Sequence, residues 1–291
     1  MPSYDTHAIH GSNILSIIDK KIEIEEEDFK VYCMGPDLLT GTNFAMFSRQ
    51  HRYGTRLFFF TLMNIIKERK LRENSEVMAF LYGQLDHFVL DVIMHPYIYY
   101  ITEGLPSNTI LGSHGIAEHA IDNFIRLKYG IKIGHYFHKL SVNDDELKST
   151  INEVYSIAYG QYNVANQYNM GIKLIRLYDL LVRRDKTHIV EGLSKLVRLG
   201  EAKYRDDDEL ARWFFRRAGD VWYHPETGEE CHQTFDDLWE ISFERYRELI
   251  ENVNGYIYDD KEISDPFIIG DLSYNTGLPC DRGQTNQFVK R

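Results

Sequence analysis

The decapeptide HFVLDVIMHP, residues 87–96, places three metal-ligand-type side chains inside an otherwise apolar run. His87, Asp91 and His95 recur at every fourth position, and because an α-helix turns about 100° per residue, this spacing puts them on one helical face. Burial of two imidazoles and a carboxylate is unfavourable unless each finds a partner. A divalent metal ion is one such partner, since it takes neutral imidazole and carboxylate as ligands. Core polar residues that are satisfied by other protein groups are the alternative interpretation.

A second segment of this kind is SHGIAEHAID, residues 113–122. His114 and Glu118 are four positions apart, and Asp122 continues the same helical face. Such pairs also occur on solvated helix surfaces, so this segment alone leaves both a metal site and an exposed pair open. His119 points away from this face and is expected at the surface or behind the ligands.

Three further segments carry isolated candidates. Asp37 lies in MGPDLLTG, where an acid after Gly-Pro is either a functional loop residue or an ordinary turn aspartate. His51, in SRQHRYG, is either a ligand or a surface histidine beside two arginines. His7 and His10, in THAIHG, lie near the start of the sequence, where exposed terminal histidines are the simpler interpretation.

The hydrophobic pattern predicts a mostly helical chain that positions these groups. Thr234, which two acidic residues follow, is the expected N-cap of the last helix. Pro96 is expected to end or kink the helix that carries His87. The tail after residue 258 is rich in Gly and Pro and is expected to be an irregular surface wrap. The predicted helices span residues 11–22, 44–70, 75–94, 113–129, 145–182, 187–203, 206–217 and 234–255.

The ligand-type residues are concentrated in one half of the chain. Residues 1–140 hold nearly all of the His, Asp and Glu motifs, whereas residues 141–291 hold amphipathic helices with few such groups. No linker-like segment divides the two halves. We therefore predict an all-α fold in which residues 1–291 form a single multi-helix domain, with the second half supporting the metal site.

Composition restricts the partners and the compartment. The formal charge of −11 disfavours a stable complex with nucleic acid. RWFFRRAGDVW, residues 212–222, interleaves Arg with aromatic residues, but the acidic run DDDE at 206–209 favours a packed amphipathic helix over a nucleic-acid surface.

The three cysteines are far apart and form no CxxC pair, which suits a reducing compartment. The sequence shows no secretory signal and no uninterrupted apolar run of about 18 residues, so we expect a cytoplasmic protein without a transmembrane segment. The oligomeric state stays open.

Taken in order, the motifs resemble those of the zinc-dependent phospholipase C family, whose fold is shared with the P1-type nucleases. HPETGE, residues 224–229, and TGLPC, residues 276–280, are also similar to late motifs of a bacterial branch. The residues that carry the resemblance are THA at 6–8, GPD at 35–37, His51, HFVLDVIMHP at 87–96 and HGIAE at 114–118.

The resemblance implies an all-helical fold of the phospholipase C and P1 nuclease type that holds two or three clustered zinc ions. In secreted family members an N-terminal tryptophan completes the third position, and this sequence has no tryptophan near its start. The implied ligands are Asp37, His51, His87 and Asp91 for a first ion, His95, His114 and Glu118 for a second, and His7 with a bridging Asp91 for a third.

The implied activity is the hydrolysis of a phosphoric diester by a metal-activated water, with a phospholipid head group or a small phosphodiester as substrate. Asp37 is the expected catalytic residue, which would orient the water or take its proton. Asp86 and Asp122 are either the acceptors that fix the tautomers of His87 and His114 or ordinary exposed acids. Two alternatives remain, namely a nuclease or nucleotidase of the same fold, and a metal-binding protein without turnover.

Overall fold

A computed structural model describes residues 4–16, 21–105, 112–131, 141–178 and 208–280. These ranges contain eleven α-helices, two short 3₁₀ helices and one antiparallel pair of two-residue strands, so the predicted all-α class is confirmed. The predicted helix at 187–203 lies outside the described residues. The α-helices are α1 (Tyr4–Leu15), α2 (Glu26–Tyr32), α3 (Phe44–Gln50), α4 (Thr55–Glu68), α5 (Ser75–Thr102), α6 (Gly112–Lys128), α7 (Asp145–Tyr159), α8 (Val164–Tyr178), α9 (Glu209–Arg216), α10 (Phe235–Asp259) and α11 (Pro266–Ile269). The 3₁₀ helices are Gly35–Leu39 and Leu71–Glu73, and the strands are β1 (Trp222–Tyr223) and β2 (Glu230–Cys231).

Helix α5 is the central element of the described fold. It is buried over most of its length and packs against α2 and α10. Phe88 and Val92 of α5 belong to one buried apolar cluster, whereas Leu90 and Met94 belong to a second. The residues of α5 that could bind a metal are therefore surrounded by apolar packing on several sides.

The predicted end of α5 near residue 94 is wrong, because the helix continues through Pro96 to Thr102. A proline inside a helix removes one hydrogen bond and crowds the carbonyl of residue i−4, at a cost of about 3 kcal/mol. The last turns of α5 are largely buried, and Ile98 and Ile101 lie in the second apolar cluster. Tertiary packing therefore holds the segment after the proline in helical form.

Among the described helices, α5 alone is long and apolar enough to cross a membrane. Inside the protein, however, 94% of its most apolar window is buried. Because the core helix of a globular protein meets the same criteria, the feature is weak support for a membrane span.

Two long predicted helices are each divided by a glycine in the left-handed region. The predicted helix 44–70 is interrupted before Gly54 (φ 77°). The predicted helix 145–182 is interrupted at Gly160 (φ 65°), after which α8 begins at Val164, and residues 179–182 lie outside the described residues. Glycine takes this conformation without steric cost and commonly ends helices. The first break makes His51 the C-cap of α3, and its Nε2 atom lies 3.4 Å from the Oδ2 atom of Asp91 on α5.

The first predicted helix, 11–22, starts too late, because α1 begins at Tyr4 and ends at Leu15, and residues 17–20 of the prediction lie outside the described residues. The start of α1 is polar, so the hydrophobic pattern misses it. Buried contacts stabilise it instead: both the backbone N–H and the hydroxyl of Thr6 donate to Asp122 on α6, at 2.9 and 2.7 Å.

The C-terminal part of the described chain supports α5. The predicted N-cap of α10 is confirmed: Thr234 and Asp237 form a reciprocal capping box.

The expected surface wrap after residue 258 is wrong in part, because Ser273 and Tyr274 are fully buried. Ser273 donates a hydrogen bond to the backbone carbonyl of His51 at 2.9 Å, so this segment packs behind the ligand-type residues.

Candidate metal centre

Five elements bring the eight predicted ligands together around α5. Residues four positions apart on α5 point the same way, and the other elements approach that face from outside. The eight residues are His7 on α1, Asp37 on the 3₁₀ helix Gly35–Leu39, His51 after α3, His87, Asp91 and His95 on α5, and His114 and Glu118 on α6.

Within each of three groups of these residues, the potential ligand atoms lie within 4.8 Å of one another. The groups are His7, His87 and Asp91; Asp37, His51 and His87; and His95, His114 and Glu118. Such spacing suits a metal ion, because zinc binds imidazole nitrogen and carboxylate oxygen at about 2.0–2.2 Å.

Asp91 lies where the three groups meet. Its Oδ1 is 3.4 Å from the Nε2 atom of His7, and its Oδ2 is 3.0 Å from the Nε2 atom of His87 and 3.4 Å from that of His51. Oδ2 is also 3.8 Å from the Nδ1 atom of His95. Oδ1 therefore faces His7, whereas Oδ2 faces His51, His87 and His95.

Backbone carbonyls fix the tautomers of three histidines. A carbonyl can only accept, so each of these Nδ1 atoms carries the proton and leaves the Nε2 lone pair available for a metal. The bonds run from His51 Nδ1 to Phe47 O at 2.8 Å, from His87 Nδ1 to Cys33 O at 3.0 Å and from His95 Nδ1 to Tyr274 O at 2.7 Å.

The prediction that Asp86 fixes His87 is wrong, because the Cys33 carbonyl does so. Asp86 Oδ1 instead accepts a hydrogen bond from His10 at 2.7 Å. Asp122, predicted to serve His114, accepts both hydrogen bonds from Thr6. The partners of these two acids depend on how the helices are rotated against one another, which spacing along the chain does not show.

The atoms that face one another in the centre fit a cation. Both oxygens of Asp37 and of Asp91, and the Nε2 atoms of His51, His87 and His95, are buried and have no hydrogen-bond partner among the described residues. Buried polar groups are ordinarily paired. Carboxylate oxygens and nitrogen lone pairs repel at these distances unless a cation or a proton lies between them.

Burial sets the protonation of the surrounding histidines. It lowers the pKa of His7, His95 and His114, so these imidazoles are neutral near pH 7, as metal ligands must be. Burial by itself would also lower the pKa of His51, but the carboxylates of Asp37 and Asp91, 3.3 and 3.4 Å from its Nε2 atom, outweigh burial and raise that pKa to about 9. A proton on His51 thus offsets part of the carboxylate charge when no metal is bound.

The family model described as zinc-dependent phospholipase C matches residues 6–163, more than half of the chain. The chain belongs to the zinc-dependent phospholipase C family. All eight predicted ligands fall within the matched range, and the family resemblance is confirmed. Neither the curated proteins nor the solved structures contain a match to the chain.

In this phospholipase C-family centre, the group on α6 is the most accessible. The side chains of His114 and Glu118 are 26% and 10% exposed, whereas those of His87, Asp91 and His95 are fully buried. The ring of Tyr99 stacks on His114 with 4.3 Å between the ring centroids. Of these five side chains, His114 is therefore the most exposed among the described residues.

Sequence reasoning misplaced His10 near this family's centre and left two positions open for His119, of which the structure excludes the surface one. His10, interpreted as an exposed terminal residue, is fully buried and bonded to Asp86 and to Ser242. His119, expected at the surface or behind the ligands, is buried, and its Nδ1 atom lies 3.9 Å from Asp122. The i, i+3 spacing of His7 and His10 was the available signal, since it puts both on neighbouring positions of one helical face.

Proposed function

We propose that this protein is a zinc-dependent phosphoric diester hydrolase of the phospholipase C type that acts on phospholipid head groups. The observation that carries the proposal is the buried set of unpartnered carboxylate oxygens and Nε2 atoms around Asp91. Family membership supports zinc as the ion. The chemistry of the donors supports it as well, because mixed imidazole and carboxylate sets are typical of zinc sites.

The proposed ligands follow the three groups. When bound, clustered zinc ions neutralise charge on the phosphoryl oxygens and make water a nucleophile near neutral pH. The number of ions, two or three, is part of the proposal. The proposed sets are Asp37, His51, His87 and Asp91; His95, His114 and Glu118; and His7 with Asp91.

Asp37 is the proposed catalytic residue. Its carboxylate is buried, and its Oδ1 lies 3.3 Å from the Nε2 atom of His51 and 3.7 Å from that of His87. The 3₁₀ helix presents this carboxylate to the interior with neither oxygen hydrogen-bonded among the described residues. We propose that Asp37 orients the attacking water and takes its proton.

A phospholipid head group is favoured over a nucleic acid by two observations. The family is described by its action as a phospholipase C, and a formal charge of −11 disfavours the approach of a long polyanion.

We also propose a cytoplasmic location. The three cysteines are all free, which supports a reducing compartment.

The test begins with zinc content, measured by elemental analysis of protein purified without chelator. Hydrolysis of p-nitrophenyl phosphorylcholine is then compared with that of the p-nitrophenyl ester of thymidine 5′-phosphate. We expect bound zinc and a preference for the choline ester. His87→Ala should lose activity, whereas His232→Ala, which alters an exposed histidine away from the centre, should keep it.

Each other outcome selects an alternative. A preference for the thymidine ester would support the hypothesis that the protein is a nuclease or nucleotidase of the same fold. Bound zinc without turnover of either ester would support a metal-binding protein. A zinc ratio near zero, or full activity in His87→Ala, would overturn the proposed function.

A further inference from the structure

A second buried polar network lies beside the candidate metal centre and contains none of its proposed ligands. His10 on α1 donates from Nδ1 to Asp86 Oδ1 on α5 at 2.7 Å, and its Nε2 lies 2.8 Å from the hydroxyl of Ser242 on α10. All three residues are fully buried. Through His10, the network joins three helices.

The Asp86–His10–Ser242 network has the residue types of a hydrolytic triad but not its accessibility. The Ser242 hydroxyl is buried and lies 2.6 Å from the backbone carbonyl of Trp239, to which it can donate. The ring of His10 stacks on that of Phe243 with 4.4 Å between centroids. A nucleophile must reach its substrate, so the network is a connection between helices.

Helix α1 is also held on the other side of His7. Thr6 donates from its backbone N–H and its hydroxyl to the same oxygen of Asp122 on α6. His7 therefore lies between two buried polar anchors, at Thr6 and at His10. Together they restrict both the rotation of α1 and its position along its axis.

His7 depends on the position of its own helix more than His51, His87 and His95 do. His51, His87 and His95 each have Nδ1 held by a carbonyl, whereas neither ring nitrogen of His7 has a hydrogen-bond partner among the described residues. Its ring stacks on His87 with 4.1 Å between centroids, a contact that uses the ring faces and holds neither nitrogen. The placement of its Nε2, 3.4 Å from Asp91, is thus set by helix α1 itself.

We propose that His10, with Asp86 and Ser242, is a positioning residue that presents His7 to Asp91 and so sets the affinity of one zinc ion. This inference rests on the proposed function, because it assumes that the centre binds zinc. The structure of α1 makes the link direct, since His10 follows His7 by three residues on the same helix. Loss of a residue that orients a metal ligand typically weakens metal binding about 10- to 100-fold.

The test uses zinc alone as the probe, with stepwise dissociation constants measured by chelator competition on the full chain. His10→Ala is expected to raise the constant of one zinc equivalent about 10- to 100-fold and to leave the others unchanged. Ser242→Ala keeps the Asp86 contact and should raise the same constant by a smaller factor. Tyr82→Phe is the matched control, because it removes a buried α5–α10 hydrogen bond (2.6 Å to Asn254) without touching α1.

A double-mutant cycle separates positioning from general destabilisation. His7→Ala should weaken the same zinc equivalent, and adding His10→Ala to it should have no further effect on zinc binding. Thermal unfolding of each variant checks that it is folded. If His10→Ala does not fold, the zinc dissociation constants of Ser242→Ala provide the test instead.

The proposal is overturned if His10→Ala or His7→Ala leaves every constant unchanged, if all equivalents weaken alike, or if Tyr82→Phe has the same effect. A wild-type protein that binds no zinc would overturn the proposed function and this inference together. Normal wild-type zinc content with unaffected variants would overturn this inference alone.

Discussion

His51 lies between two buried carboxylates, and this contact governs the behaviour of the centre before metal binds. Burial would lower its pKa, but the carboxylates of Asp37 and Asp91, which lie 3.3 and 3.4 Å from Nε2, outweigh burial and raise that pKa to about 9. The imidazole is therefore protonated at neutral pH in the metal-free protein. Zinc needs the neutral imidazole, so metal and proton compete for the same Nε2 atom.

The first prediction follows from this competition. Below about pH 9, zinc binding by the metal-free protein should release the His51 proton, and affinity for the ion that takes His51 should fall up to about tenfold per pH unit as the pH drops. Calorimetric titration in buffers of different ionisation enthalpy measures the proton count. His51→Ala should lose this proton release. An equal release by the variant and the wild type would contradict the assignment.

The second prediction concerns Asp37. Asp37→Asn keeps the size of the side chain but removes the group that can accept a proton from water. The value of kcat for p-nitrophenyl phosphorylcholine should fall about 10²- to 10⁴-fold, with zinc content measured in the same preparation. If the variant retains both its zinc and its wild-type kcat, Asp37 is not the base.

At the scale of elements, the 3₁₀ helix Gly35–Leu39 meets α5 without space for a side chain at its first residue. Gly35 has a φ of 51°, and a Cβ there would lie 2.4 Å from the Cγ atom of His87. The glycine thus satisfies a left-handed backbone and a close approach to a proposed ligand. It lets the segment that carries Asp37 pack directly on the ring of His87.

The third prediction separates these two requirements. Gly160→Ala has the same left-handed strain (φ 65°) but meets no atom within 4 Å, so it should destabilise the fold by about 1–2 kcal/mol. Gly35→Ala should lower the free energy of unfolding by a further 1–3 kcal/mol or so and should also weaken zinc binding. Urea denaturation with zinc titration measures both. Equal effects of the two substitutions would show that contact with His87 is unimportant.

At the scale of the whole molecule, the candidate centre joins elements that are far apart in sequence. Bound zinc would link α1, the segment from Gly35 to His51, α5 and α6, because each contributes a proposed ligand. An unfolded chain cannot offer these ligands together. The ions would therefore stabilise the native state by mass action.

The fourth prediction is a zinc-dependent melting temperature. At a free zinc concentration of about 1,000 times the dissociation constant, one ion adds about 4 kcal/mol to the free energy of unfolding. Removal of zinc by a chelator should lower the melting temperature in differential scanning calorimetry, and readdition should restore it. Identical melting temperatures with and without zinc would contradict a shared metal centre.

Local sequence was sufficient for features that depend on one helix. The four-residue spacing of His87, Asp91 and His95 determines that they share a face of α5, and the capping box of Thr234 with Asp237 was visible as residue types at the start of α10. These features follow from helical periodicity and local hydrogen bonding, which act within a few residues.

Other features depended on contacts between segments. The burial of His10, the direction in which Asp86 and Asp122 point and the carbonyl acceptors of the ligand histidines all depend on how helices are rotated against one another. The helix breaks at Gly54 and Gly160 were hidden because apolar periodicity continues across them.

The sequence alone therefore determined the all-α class, the family and the residues capable of binding a metal, because residue type and helical spacing are local properties. Only the tertiary structure decided which of these residues meet, which oxygens and nitrogens face one another unpaired, and that α1 is anchored on both sides of His7. The physical reason is that burial and hydrogen-bond partners belong to pairs of distant segments, and spacing along one helix carries no information about its neighbour's rotation.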